Sequence, residues 1–132
     1  MKILDGVNIL YVEDEEDYSE VVGKELRRHG CIVTDCRDGN QLFKALKGFI
    51  PDIIILDVNL PGENGLNLSK KLKEVEAYSK IPIVFLTAAT TKSSSTKYSA
   101  LVDVEDKNVA NVIKTYGSNV HLFNAIKKLL NR

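Results

Sequence analysis

The chain has 132 residues, with eighteen basic and eighteen acidic side chains, 44% apolar residues and 27% charged ones. Its length fits one domain with a core of its own, and the composition is that of an ordinary globular protein. The cancelled charge excludes a global field that would draw the chain to nucleic acid or to an anionic membrane. Lysines and arginines such as Lys24, Arg27, Arg28, Lys44, Lys70 and Lys127 are scattered, and read as solvated helix faces. Acids interrupt the amino terminus, MKILDGVNILYVEDE, before it offers a signal peptide or a membrane span. Cys31 and Cys36 fall five apart in one strand-like run, which turns their side chains to opposite faces and precludes a bridge between them. Free thiols suit a reducing cytoplasm, which is the expected compartment.

Residues 8–12, NILYV, form a first short apolar run that ends in five acids, Glu13, Asp14, Glu15, Glu16 and Asp17. Tyr18, Val21, Val22 and Leu26 then recur at helical spacing. They predict an amphipathic helix that begins at the acids, where the helix dipole favours anions, and stops at Gly30. Glu15, Glu16 and Asp17 read as charge at that helix start. Residues 31–36 predict a second strand, followed by Arg37-Asp38-Gly39-Asn40 as a turn and helix cap. Leu42, Phe43 and Leu46 mark a short helix. Residues 53–56 are apolar, three of them β-branched, and read as a strand buried on both faces, with Asp57 where the run stops. Leu60-Pro61-Gly62 forces a turn in which Gly62 can take positive φ, and Gly65 gives a second permissive point. Leu68, Leu72 and Val75 mark the next helix, and Pro82 opens a fourth strand over 83–86 that ends at Thr87. Residues 90–99, TTKSSSTKYS, read as a loop or frayed helix start, and 100–108 as either helix or strand and turn. Residues 109–113 predict a last strand leading to Lys114. Val120, Phe123, Ile126 and Leu130 then predict a closing helix capped by Ser118 or Asn119.

Five strands alternating with helices, the fourth helix being weakly marked, predict an α/β domain spanning residues 1–132, with a parallel sheet wound on both faces. Ligands bind at the carboxyl edge of such a sheet. That edge receives Glu13 and Asp14 after the first strand, Asp57 after the third, Thr87 after the fourth and Lys114 after the fifth. Each has a plain reading by itself: Asp57 as a turn residue, Thr87 as a strand end, Lys114 as a solvated charge. Together they point to chemistry. Carboxylates this close repel unless a cation sits among them, and hard oxygen ligands suit Mg²⁺. An ionised Asp57 can attack phosphorus and form an acyl phosphate, with Thr87 donating a hydrogen bond and Lys114 a positive charge to the phosphoryl group.

At these residues the chain resembles the response-regulator receiver domain of two-component phosphorelay signalling. The segments YVEDEE, LDVNLPGENG, FLTA and IKTY carry the resemblance, in the family's order and over nearly the whole chain. The resemblance implies a flavodoxin-like fold with strand order 2-1-3-4-5. It implies that Asp57 accepts a phosphoryl group from the phosphohistidine of a sensor histidine kinase or phosphotransfer protein. By the same likeness Asp14 and Asp57 hold Mg²⁺ with the backbone carbonyl of Asn59, Glu13 acts through metal-bound water, and Thr87 and Lys114 engage the phosphoryl group. Their movement would reshape the face made by the last strands and helices. Such a domain promotes its own phosphorylation and dephosphorylation and turns over no other substrate. Its output would go to a downstream protein or to a carboxyl-terminal output domain beyond Arg132, with no direct nucleic-acid or membrane contact.

The chain departs from the family pattern in four places. Glu13 stands where Asp is frequent, and Thr115 where a proline with a cis bond usually follows the lysine. Asn111 occupies the position of the switch aromatic, and the interval from Thr87 to Lys114 is longer than usual, which makes the fourth-helix region atypical. In such a fold Asn59 and Ala89 would flank water's path to the acyl phosphate, and the small Ala89 would leave that side open, which predicts a short-lived phosphoryl state. Two other classes fit less well. An aspartyl-phosphate phosphatase wants a second acid where Asn59 stands, and a flavin carrier wants a phosphate loop where five acids stand. The remaining alternative is a receiver-like module that binds its partner without phosphorylation.

Overall fold

The computed structural model describes residues 3–87, 107–115 and 117–132. Five strands are present, β1 (Asn8–Val12), β2 (Ile32–Cys36), β3 (Ile53–Asp57), β4 (Ile83–Thr87) and β5 (Val109–Ile113). All pair in parallel, in the order β2-β1-β3-β4-β5. Four helices lie among the described residues: α1 (Glu16–Arg28), α2 (Gly39–Leu46), α3 (Gly65–Glu74) and α4 (Val120–Leu129). This is the doubly wound, flavodoxin-like arrangement expected from the alternation of strand and helix. Residues 88–106, with Ala89, the hydroxyl-rich run, Tyr98 and the weakly marked fourth helix, lie outside the described residues, as does Tyr116.

Alternation along the strands separates two cores. Ile9 and Tyr11 of β1, Ile53 and Ile55 of β3, and Val84 and Leu86 of β4 pack against Tyr18, Val22 and Leu26 of α1 and Leu122 and Ile126 of α4. Leu10, Val12, Ile54, Leu56, Ile83 and Phe85 face the other way, onto Leu42 and Leu46 of α2 and Leu68 and Leu72 of α3. A strand covered on both faces must be apolar at every position, which is why β3 and β4 read as unbroken runs. Each fully buried Leu or Ile contributes roughly 1.5–3 kcal/mol, so the central strands are the strongest part of the sheet. Cys31 and Cys36 sit in opposite cores as free thiols, as their spacing required. Burial comes first among the causes that raise both to about 11, so they stay protonated and inert at neutral pH.

The helix ends follow local chemistry. Asp38 Oδ1 accepts a hydrogen bond from Gln41 N at 2.9 Å and caps α2, and Asn64 Oδ1 does the same for Asn67 N at the start of α3. At α4 the Ser118 hydroxyl accepts from Val120 N at 3.2 Å, while Asn119 makes no side-chain cap. Three apolar residues assigned to helix core faces are exposed instead. Val21 is 58% exposed because Tyr18, Val22 and Leu26, spaced by four, already fill the inward stripe. Val75 is the C-cap of α3, where the chain leaves the helix, and at α4 Leu122 turns inward while Val120 faces out. No helix of the described residues is long and apolar enough to cross a membrane.

Two glycines shape the loop after β3. Gly62 has φ of 79° and takes the left-handed turn conformation. Gly65 has no positive φ; its role is close approach, since a Cβ there would stand 2.3 Å from the backbone oxygen of Asp57. Gly65 N also donates to Val58 O at 2.8 Å, which ties the first residue of α3 to the end of β3. Gly65→Ala is therefore expected to lower stability by about 1–3 kcal/mol through overpacking, measured as a shift in urea midpoint, and more than Gly62→Ala does.

Candidate active site at the carboxyl edge of the sheet

Strand pairing sets the site. Val12 of β1 stands opposite Leu56 of β3, so the next residues in register are Glu13 and Asp57. Both carboxylates are buried, at 1% and 2% exposure. Two strands further along, Lys114 leaves the end of β5, its backbone N–H donating to Thr87 O at 2.7 Å. Its ammonium reaches back across the end of β4. It lies 3.0 Å from Asp57 Oδ2 and 2.8 and 3.0 Å from the two oxygens of Glu13. Neighbouring strands are spaced about 4.8 Å, so the Lys114 side chain crosses the end of β4 to reach carboxylates two and three strands away. Glu13 has one methylene more than the aspartate frequent at its position, which extends its carboxylate toward that ammonium.

Asp57 is held on its other oxygen as well, where Oδ1 accepts from Asn59 N at 2.9 Å. Asp14 is exposed, at the mouth of the cluster. Thr87 is buried with its hydroxyl turned to β5, donating to Val112 O at 3.4 Å. The sequence places all five predicted groups at this edge, and the structure joins Glu13, Asp57 and Lys114 directly, with an Asp14 oxygen within 4.8 Å of the other two carboxylates and Thr87 alongside on β4. The peptide bond between Lys114 and Thr115 is trans. Asn111 is exposed on β5. His29 and His121 are surface residues, and His29 rests against Phe123 with ring centroids 4.3 Å apart.

Two residues carry more than their sequence reading. Glu15, read as helix-start charge, brings Oε2 to 3.7 Å from the Lys114 ammonium and donates its N–H to Glu13 Oε2 at 3.2 Å. Tyr18, read as a core position of α1, lies beneath the same ammonium, 4.8 Å from ring centroid to Nζ. The sequence signal for both was proximity, within one turn of Asp14 at the start of α1, but their contact depends on the reach of a residue about a hundred positions away.

The response regulator receiver domain family matches residues 9–106. The chain belongs to that family. The DNA-binding response regulator MtrA of Mycolicibacterium smegmatis is 38% identical over 82 residues, which take in 62% of this chain and 35% of MtrA. The chain thus spans about a third of that relative's length. A chain from Chloroflexus aurantiacus solved as a response regulator superposes with a TM-score of 0.81 at 25% identity, covering 97% of this chain and all of that one. The receiver domain of the sensor histidine kinase PA1611 from Pseudomonas aeruginosa superposes at 0.80 with 24% identity, over 96% of this chain and 99% of that one. It carries a magnesium ion in its active-site cleft.

The donor set of this receiver suits a hard divalent cation. Glu13, Asp14 and Asp57 each offer a carboxylate oxygen within 4.8 Å of the others, two buried and one exposed. Glu13 Oε1 is buried near positive charge but outside the direction of any hydrogen bond, so it has coordinating capacity to spare. Oxygen donors with an open, exposed side are what Mg²⁺ with retained waters requires.

Electrostatics within the receiver site are uneven. Burial, followed by the shared contact with Asp57, pushes Glu13 up to about 8, and Lys114 offsets only part of this. Burial opposes the Lys114 charge, but its hydrogen bonds to Glu13 and Asp57 outweigh that and hold it above the usual lysine range. Desolvation, then the Glu13 charge, raises the phenol of Tyr11 well above its ordinary value, so its buried hydroxyl stays neutral. A pH dependence follows. Between 4.5, where an unfolded glutamate releases its proton, and about 8, the folded chain keeps a proton that the unfolded chain has lost. The Glu13 contribution to stability therefore falls as pH rises through that window, whereas Lys114 is charged in both states there and adds no slope. In chelator, urea unfolding at about pH 5.5 and about pH 7.5 should show stability declining by no more than about 1.4 kcal/mol per pH unit from this source. Glu13→Gln should flatten the decline.

Proposed function

We propose that residues 1–132 act as one receiver domain that takes a phosphoryl group from the phosphohistidine of a sensor histidine kinase, or of a phosphotransfer protein, onto Asp57. The observation that carries the reading is the buried meeting of Glu13, Asp57 and Lys114 within 3.0 Å at the carboxyl edge of a receiver fold. Glu13, Asp14 and Asp57, with the backbone carbonyl of Asn59, would hold Mg²⁺, which when bound neutralises charge on the phosphoryl oxygens. The magnesium of the pseudomonad receiver and the carboxylate cluster of this chain support that assignment.

An Asp57 oxygen attacks phosphorus in line. The new O–P bond forms as the N–P bond to histidine breaks, and the electron pair returns to the imidazole nitrogen. Asn59 N–H and Lys114 orient the nucleophile from opposite sides, one on each oxygen. Once Asp57 has lost its charge in the acyl phosphate, a mixed anhydride, Lys114 follows the negative charge outward onto the phosphoryl oxygens. The Thr87 hydroxyl, whose hold on Val112 O is long at 3.4 Å, turns to a phosphoryl oxygen as the better acceptor. Water later hydrolyses the acyl phosphate, which makes the cycle self-limiting and not turnover of a separate substrate. The signal leaves through β5 and the last helices to a partner protein or an attached output domain, in the cytoplasm and without direct nucleic-acid contact.

A second reading, partner binding without phosphorylation, is favoured by one observation, the exposed Asn111 in place of an aromatic on β5. One experiment separates the two. With Mg²⁺ and acetyl phosphate, intact-mass analysis should show one phosphate increment, absent with chelator and absent in Asp57→Asn; Thr87→Ala should keep the increment. A folded wild-type chain that gains no mass would leave the second reading standing.

A further inference from the structure

Lys114 faces a problem of choice. Three carboxylates, Glu13, Asp57 and Glu15, lie within 3.7 Å of one ammonium, and Coulomb attraction alone has little directional preference. Glu15 is the competitor. Its side chain is 46% exposed, and its Oε2 lies 3.7 Å from Nζ, farther than the 3.0 Å to Asp57. A further neighbour among the described residues is not an oxygen. Tyr18, 4% exposed, presents its ring to Nζ at 4.8 Å, within the range where a ring face attracts a cation. The ring has little freedom, since Tyr18 packs in the same core as Val22 and Leu26 of α1 and Tyr11 of β1.

We infer that Tyr18 is a positioning residue for the phosphoacceptor site: its ring face seats the Lys114 ammonium against Asp57 and keeps it from sliding to Glu15. The inference rests on the phosphoacceptor reading for its consequence, but its geometry can be tested apart from that reading. A ring gives the ammonium a partner that neither takes a proton nor competes for a metal, so it fixes the lysine without occupying a carboxylate that the cation needs. The ring also lets Lys114 leave toward the phosphoryl group, because a ring face, unlike a hydrogen bond, has no single preferred direction.

The test compares Tyr18→Phe, which keeps the ring, with Tyr18→Met, which keeps comparable bulk without it, each also in a Lys114→Met background. With lysine labelled in its side chain, the ε-methylene signal of Lys114 should show a ring-current displacement in the wild type and in Tyr18→Phe, and lose it in Tyr18→Met. With Mg²⁺ and acetyl phosphate, Tyr18→Met should slow phosphorylation about threefold to tenfold, a loss scaled to one cation–π contact. Tyr18→Phe should restore the rate, and the Mg²⁺ dissociation constant should stay within about twofold. In the Lys114→Met background Tyr18→Met should have no further effect, because the ring then has no ammonium to seat. A displacement that survives in Tyr18→Met, an unchanged rate, or an equal loss in both backgrounds would overturn the inference. Should the wild type accept no phosphoryl group, the function reading fails, and the lysine signal alone decides whether Tyr18 seats Lys114.

Discussion

Two buried carboxylates share one ammonium, and the rest of the site depends on that shortage of positive charge. Burying Glu13 and Asp57 next to each other is costly in a medium of low polarity, and Lys114 supplies one positive charge shared between the two carboxylates. What remains is handled by proton retention at Glu13 and by the Asn59 N–H on Asp57. The carboxylates gathered here, with Asp14 beside them, could hold a further cation in place of that proton. The same shortage explains why the donors are hard oxygens with one side open at Asp14, and why the lysine is drawn in from a strand that is not adjacent.

That arrangement needs a parallel sheet. Only when every strand runs the same way do the ends of β1, β3, β4 and β5 arrive at one edge, and only helices on both faces keep that edge dry enough for charge to matter. The cover is close: α3 begins against the backbone of Asp57 itself, at Gly65, where no side chain would fit. The residue that opens a helix on the second face thus guards the position of an acid at the sheet's edge. Stability and chemistry meet at the same few ångströms.

How much of this the sequence disclosed follows from what each feature depends on. Strands buried on both faces announce themselves as apolar runs, and the polar residue that ends a run is then placed without further information; Asp57 and Thr87 were legible for that reason. Helices were legible as periods but less so as faces. Val21 and Val120 are as apolar as their inward neighbours and lie one or two positions off the stripe, a difference that packing against β1 and β4 decides. Gly65 was legible as a glycine but not for its reason, since a close approach of backbone to backbone leaves no local trace. Glu15 and Tyr18 were hidden because their partner is Lys114, and sequence spacing says nothing about contacts across about a hundred residues.

The atoms that hold the site also tie it to the edge of the sheet. Thr87 grips β5 twice, its carbonyl receiving Lys114 N at 2.7 Å and its hydroxyl donating to Val112 O at 3.4 Å. The first is a short backbone bond, and the second is a stretched one. Any demand on the Thr87 hydroxyl from the site side is therefore met by releasing Val112 O, while the backbone bond keeps the two strands in register. Lys114 is anchored in the same double way, its backbone pinned to β4 and its ammonium held by the buried carboxylates of Glu13 and Asp57. Both anchors lead to β5, whose Ile113 is 60% exposed and whose Asn111 also faces solvent. Among the described residues, an edge strand carrying exposed apolar surface thus lies one hydrogen bond away from the site.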